Sequence, residues 1–504
     1  MKSKTDLPEL IRAMSKSEKR YFTLDAQKSG RQNSRYLELF QAINDMPDYD
    51  EERLKEKFGA NLPSDKTYLY DAIMRSMRDY RSSRSYSARI KEMILDSKYL
   101  YERGLYDQCE ERLAEAKKLA LELDDQLALL EINREEQNLA WNSKKDYEAF
   151  LKKLITEKDN NIDALSEEFK YLEKSSQLLM KLKKGSVKIL ADNGEGQNPF
   201  SLNDFSADLE PKSFHAKRRY LQCRALQSEI QRDFESVTNF YERIIEWWGK
   251  NPKFREEEFY RYFVDISNLL HAYANQGQYI KVDKLVTQLE KHAQHSFHDK
   301  VVVFQRFAIY KLMYYINTGR TQEINVFISK INKGLNQYGN LLSTGAKMII
   351  IFNLAILLFI HNRLEECMFW CKKIIKEFKT SPVRKDILRA SYLLFLIASF
   401  DGQEPDTIEK DLRSAQRTFQ KEKISKEEFE WQVFDYLKKL LFSAPFETKD
   451  LLWQFKTFIL EYRKENAGKV ALGADELMLW FIESKLQKIP VIQIVQRNNR
   501  SDQT

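Results

Sequence analysis

The feature that most constrains this chain is a turn signal that returns at a near-constant interval. Short runs with a glycine, asparagine or arginine at one fixed place separate amphipathic segments. They are Arg103–Cys109 (RGLYDQC), Gln231–Val237 (QRDFESV), Gln276–Val282 (QGQYIKV), Thr318–Ile324 (TGRTQEI) and His361–Cys367 (HNRLEEC). With that residue as anchor, the series runs Gly104, Lys145, Arg232, Gly277, Gly319, Asn362, Gly402 and Pro445, in steps of 41, 87, 45, 42, 43, 40 and 43 residues. The step of 87 reads as two steps of about 43, with a degenerate turn near Gly185. A fixed period of this length marks an array in which one supersecondary unit recurs.

The residues around the anchor say what the unit is. Glycine and asparagine accept the left-handed conformation that ends a helix. Two positions on stand Tyr106, Phe234, Tyr279 and Leu364, expected to plug the gap between paired helices. Apolar residues then fall five, nine and twelve positions after the anchor. They are Cys109, Leu113 and Ala116; Val237, Tyr241 and Ile244; Val282, Val286 and Leu289; Ile324, Ile328 and Ile331; and Cys367, Cys371 and Ile374. Steps of four and three trace one face of a helix. Ala225 and Ala355, seven residues before their anchors, suit a close helix crossing, whereas Leu270 and Leu312 hold that place in other units.

Composition agrees with an all-α chain. Of 504 residues only 15 are Gly and 10 are Pro, well under the usual share of about 7% and 5%. Folds rich in tight turns need more of both. The pattern resembles the tetratricopeptide-repeat superfamily of antiparallel helix pairs over roughly residues 90–465. The turn Gly or Asn, the aromatic residue two later and the small or apolar residue five later carry the resemblance. The period departs from it, about 42 residues here against about 34, and the family's Trp and terminal Pro are mostly absent. HEAT and armadillo repeats have a similar period and stand as the rival assignment. The resemblance implies a right-handed superhelical α-solenoid whose concave face is an extended binding surface.

Three regions follow. Residues 1–88 form a small N-terminal helical domain, with helices expected at Leu7–Ala26, Ser34–Ile43, Glu51–Phe58 and Asp65–Arg84 and a link at Gly59–Ser64. Their order outlines a helix-turn-helix. Lys66, Arg75, Arg78, Arg81, Arg84, Arg89 and Lys91 outnumber Asp65, Asp71 and Asp79 there. Either Arg75, Arg78, Arg81 and Arg84 face phosphates, or the helix is a solvated cap on the first repeat. Residues 89–467 hold the repeats, interrupted at 191–214, where Phe200, Phe205 and Phe214 either dock into a groove or belong to a disordered insertion. Residues 468–504 form a C-terminal cap. Pro490 is expected to end the last helix, and the apolar patch Val491–Val495 to seal the end of the stack.

Chemistry is hard to find. No phosphate-cradling loop, nucleophile elbow or metal motif is visible, so no catalytic residue, metal or cofactor is expected. His292, His295 and His298 are spaced by three, as metal ligands on one helix face or as the polar end of a helix. Cys367 and Cys371 read as buried packing residues, and the four scattered cysteines suit a reducing compartment. The greasiest run, Met348–Ile360, has 13 residues, short of the roughly 20 that cross a bilayer. With no secretory signal at the N-terminus, a cytoplasmic protein without membrane contact is expected. The net charge of +7 is too weak for a general nucleic-acid coat. First helices would line the groove with Arg219, Asn268, His271, Asn275, Arg306, Asn317 and Asn353. An amide both donates and accepts, which suits a peptide backbone. Two functions stand: a non-enzymatic scaffold for a protein or peptide, or a nucleic-acid-associated regulator whose repeats sense a ligand.

Overall fold

The computed structural model describes residues 6–28, 35–46, 49–82, 85–143, 147–189, 211, 213–291, 297–402, 405–421, 424–465 and 473–501, and these contain helices and no strand. They fall into two compact units. The first holds Met1–Ala272 and Gln294–Asp299, the second Tyr273–Ala293 and Lys300–Thr504.

The first unit opens with α1 (Asp6–Ala13), α2 (Lys16–Lys28), α3 (Arg35–Asn44), α4 (Glu51–Phe58) and α5 (Leu62–Ser82) around Leu7, Ile11, Phe22, Leu39, Phe40, Leu54 and Ile73. The expected helix Leu7–Ala26 is broken in two. Ser15 and Glu18 close a capping box there, Ser15 N–H donating to Glu18 at 2.6 Å and Glu18 N–H to Ser15 Oγ at 3.2 Å. Such a box satisfies the free N–H groups that start a helix. The expected link Gly59–Ser64 shrinks to one 3-10 turn, Gly59–Asn61, because Pro63 fits the first turn of α5.

Helix pairs follow: α6 (Tyr86–Glu102) with α7 (Tyr106–Glu122), α8 (Gln126–Ser143) with α9 (Tyr147–Ile189), and α10 (Phe214–Ile230) with α11 (Phe234–Lys250). The short α12 (Pro252–Glu257) leads to α13 (Phe259–Asn275). In the second unit come α14 (Tyr279–Glu290), α15 (Phe297–Thr318, in this unit from Lys300), α16 (Ile324–Tyr338), α17 (Thr344–Ile360), α18 (Leu364–Glu377), α19 (Lys385–Gly402) and α20 (Pro405–Lys421). They are followed by α21 (Phe429–Phe442), α22 (Thr448–Glu465), α23 (Ala474–Gln487) and α24 (Val491–Ser501). Neighbours joined by so short a link and packed side by side run antiparallel. Serines cap the starts of α6, α10 and α17, Ser85, Ser213 and Ser343 each accepting from the N–H three residues on.

The anchors fall at the helix junctions. Gly104, Arg232, Gly277, Gly319 and Asn362 have φ of 72°, 60°, 69°, 61° and 56°, all left-handed. Around four of them the hydrogen bonds repeat. The anchor N–H bonds the carbonyl three back (Gly104 to Tyr101, Arg232 to Glu229, Gly277 to Ala274, Asn362 to Phe359), and the next N–H bonds one five back (Leu105 to Leu100, Asp233 to Ser228, Gln278 to Tyr273, Arg363 to Leu358). This paired closure is the Schellman motif, which satisfies carbonyls left over at a helix end. Lys145 lies outside the described residues, between α8 and α9.

The stripe after the anchor is the packing face. Fourteen of the fifteen residues named for it are buried, from 5% exposure at Val237 down to 0%. Ile324 is the exception, because the turn at Gly319 runs on to Glu323 (φ 59°) and Ile324 is the first residue of α16. The residues two after the anchor begin the second helices, where Tyr106, Tyr279 and Leu364 are half-buried and Phe234 is 46% exposed.

Two further expectations change. No turn interrupts the chain at Gly185. Helix α9 runs unbroken for 43 residues through it, about 65 Å at 1.5 Å per residue. The long step therefore holds one hairpin with an extended second helix, whose Leu178 packs on Cys223 and Leu226 of α10. Nor does the chain stop being helical at Pro490. Helix α24 starts directly after the proline and buries Val491, Ile494 and Val495. Gln496 Nε2 donates to the Gly319 carbonyl at 2.8 Å, which sets the C-terminal helix against a turn 177 residues earlier.

Candidate functional site

In the first unit five segments converge on a polar cavity of 160 Å³. Ser87 comes from the start of α6, Asp124–Leu127 from the α7–α8 turn, Leu165 and Glu168 from α9, His215 from α10, and Phe254, Glu257, Glu258 and Arg261 from the α12–α13 region. The turn is another Schellman closure, with Asp124 at φ 48° and bonds from Asp124 N–H to Leu121 and from Asp125 N–H to Ala120. Aspartate is among the few non-glycine residues that take this conformation readily.

Most of the carboxylates are occupied by their own fold. Asp124 accepts from Phe214 N–H at 2.6 Å and from Gln126 Nε2 at 2.7 Å. Burial nonetheless holds its carboxyl above the ordinary aspartate range, against the lowering effect of those bonds and of His215. Glu257 caps α6, accepting from Ser85 Oγ at 2.7 Å and from the N–H groups of Tyr86 (2.9 Å) and Ser87 (3.3 Å). Glu258 pairs with Arg261 Nη1 at 2.9 Å, and Asp125 accepts from Ala128 N–H at 3.0 Å. Gln126 is 7% exposed, and its Oε1 meets no donor among the described residues.

Behind this wall Phe214 stacks on Phe254 (centroids 4.2 Å apart) and lies against Trp247 (3.5 Å). The expected docking of Phe214 is thus intramolecular, while Phe200 and Phe205 lie outside the described residues. Deeper in, Arg218 Nε and Nη2 bind both oxygens of Asp265 at 2.6 and 2.9 Å, and Trp248 Nε1 donates to the same carboxylate at 2.8 Å. Asp265 is fully buried and Arg218 nearly so. This triad ties α10, α11 and α13 together. Its one sequence signal is a single acid inside the apolar run YFVDISNLL.

Of the residues expected in a groove, Arg219, Asn268 and His271 belong to the first unit, and Asn275, Arg306, Asn317 and Asn353 to the second. His271 and Asn275 are exposed, and the other five are half-buried. Asn317 Nδ2 donates back to Met313 of its own helix at 2.8 Å. Arg219 Nε is buried without a partner, and burial, with Arg218 and Arg261 nearby, pulls its pKa down.

In the expected basic face, Arg75, Arg78 and Arg81 are exposed on α5, and Arg84 lies outside the described residues. Lys66 leaves that set. It is 5% exposed and binds Glu51 at 3.0 Å and Tyr49 at 2.8 Å. Lys91 is paired with Glu131 at 2.7 Å.

His298 is exposed, and His292 and His295 lie outside the described residues, among which no group of three His, Cys, Asp or Glu is placed to hold a metal. All four cysteines are free and buried. Burial pushes the Cys223 thiol up to about 12 and raises that of Cys371 well above its ordinary value, so neither supplies a thiolate nucleophile near neutral pH.

Large apolar side chains stand in solvent along α9. Ile155, Ile162 and Phe169, seven residues apart, are 41%, 47% and 55% exposed. No helix among the described residues is long and apolar enough to cross a membrane. Compared with known proteins, the chain matches no family model, no curated protein and no solved structure.

Proposed function

We propose that this chain is a non-enzymatic interaction scaffold. Its tetratricopeptide-like hairpins stack as a right-handed superhelix and hold a protein or peptide on the concave face, with Arg219, Asn268, His271, Asn275, Arg306, Asn317 and Asn353 as contacts. The observation that carries this reading is the recurrence of one hairpin, with the same left-handed turn and the same buried stripe. A hairpin of this kind cannot bury its apolar face alone, and stacking leaves an extended surface for partners. The exposed stripe on α9 supports it, since apolar side chains in a row on a surface mark contact sites. The four free cysteines suit work in the cytoplasm. Affinity capture with the full chain, and with a variant carrying Asn268→Ala, Asn275→Ala and Arg306→Ala, tests it. The variant is expected to lose the partners that the parent chain retains, and recovery of the same partners contradicts the groove.

A second reading rests on Arg75, Arg78 and Arg81, which share the exposed side of α5. It makes the chain a nucleic-acid-associated regulator with a ligand-sensing repeat domain. Duplex binding by the full chain would then weaken steeply with salt and fall when the three arginines become glutamine. Equal binding by the variant removes this reading.

A further inference from the structure

The cavity behind the α7–α8 turn has an unanswered acceptor and an excess of negative charge. Gln126 is 7% exposed, its Nε2 is fixed on Asp124, and its Oε1 has no donor among the described residues. A buried polar atom without a partner is costly, so the site favours whatever brings a donor to it. Five carboxylates line the cavity against the single guanidinium of Arg261. Arg219 feels the charges of Glu168 and Glu258, and counting it still leaves the acids ahead. Glu257, Glu258, Asp124 and Asp125 are held by bonds within the fold, as described above. Among the described residues the carboxylate of Glu168 has no ion pair or hydrogen bond, and it shares the cavity with Gln126.

We propose that this cavity binds a guanidinium group, presented by an arginine side chain of a bound peptide. The site is polar and acceptor-rich, which excludes an anion or an apolar ligand. A metal ion is a poor fit, because no three of the described acids converge as ligands. A planar guanidinium carries five donors and can serve an amide oxygen and a carboxylate together, where an ammonium acts as a compact charge. The volume of 160 Å³ is below the roughly 300 Å³ at which sites for drug-sized ligands begin. That is the scale of one side-chain head. The site lies apart from the residues assigned to the concave face, except that Arg219 approaches its acids, and it does not depend on that assignment.

Ligand-observed saturation-transfer NMR on the full chain tests this with blocked Gly-Arg-Gly, the same tripeptide with lysine or with citrulline, and agmatine. The arginine tripeptide is expected to bind at least tenfold more tightly than the citrulline one, which keeps the shape and loses the charge, and more tightly than the lysine one. Gln126→Met and Glu168→Gln are each expected to weaken it at least fivefold. Among the described residues Glu168 makes no hydrogen bond or ion pair and acts on the fold only through its charge near Arg219, so Glu168→Gln is expected to shift the melting temperature little, and weakened binding with an intact melt separates lost binding from lost folding. Equal binding of arginine and citrulline, or unchanged binding in Glu168→Gln, overturns the site. Agmatine binding more tightly than the tripeptide overturns the peptide as the source. The groove variant of Asn268, Asn275 and Arg306 is expected to bind the arginine tripeptide as the parent does, so the two proposals fail separately.

Discussion

At Arg232 the main chain holds φ 60° with an exposed arginine side chain. Left-handed backbone costs a non-glycine residue about 1–2 kcal/mol, whereas the added freedom of glycine in the unfolded chain costs about 0.5–1 kcal/mol. The first effect is larger, so Arg232→Gly is expected to stabilise the fold by roughly 0.5–1 kcal/mol. Gly277 is the mirror case. Its φ is 69° and a Cβ would meet nothing within 4 Å. Gly277→Ala is therefore expected to cost roughly 0.5–1 kcal/mol, the same difference with the opposite sign. Urea unfolding checks both, and a gain at Gly277 or a loss at Arg232 would contradict the turn geometry. Gly334 obeys another rule. In an open helix, alanine would gain about 1 kcal/mol over glycine. Here a Cβ would stand 2.0 Å from Phe304 Cε2, a ring that is itself buried. Overpacking of this kind typically costs about 1–3 kcal/mol, so Gly334→Ala is expected to lower the urea midpoint, and a raised midpoint contradicts the close approach.

At the scale of elements, the clasp of α10, α11 and α13 should dominate the first unit. Asp265→Ala strands a buried guanidinium and is expected to cost about 3–5 kcal/mol, while Arg218→Met with Asp265→Leu recovers part of that loss, the buried Trp248 Nε1–H being left without its acceptor. Thermal melts of the two variants decide it, and a double variant as weak as the single one contradicts the ion-pair account. The hairpins themselves were legible in the sequence, because a left-handed turn and a 3–4 spaced stripe are written in local residues. Cys109, Val237 and Val282 fell on the packing face as read. The break at Ser15 was also written, as Ser-Lys-Ser-Glu, but a continuous apolar period from Leu7 to Ala26 hid it. The cavity was not legible. Asp124 takes a left-handed turn without glycine or asparagine, and its neighbours Glu168, His215 and Glu257 are brought to it only by tertiary packing. The length of α9 was missed for a different reason. Gly185 looks like the expected anchor, and a glycine alone does not end a helix when the backbone bonds on either side continue.

At the scale of the molecule, the function proposed above requires the hairpins to stack side by side in a superhelix. Helix α24 adds a contact that periodicity alone does not foresee, returning to the turn at Gly319, where a Cβ would stand 2.8 Å from Gln496 Cγ. A chain of 504 residues closed into one globule has a radius of gyration of about 23 Å. Small-angle X-ray scattering of the monomer in solution tests the stacking most directly. A radius of gyration well above about 23 Å, with an elongated distance distribution, is the predicted result; a value at about 23 Å with a symmetric distribution would contradict it.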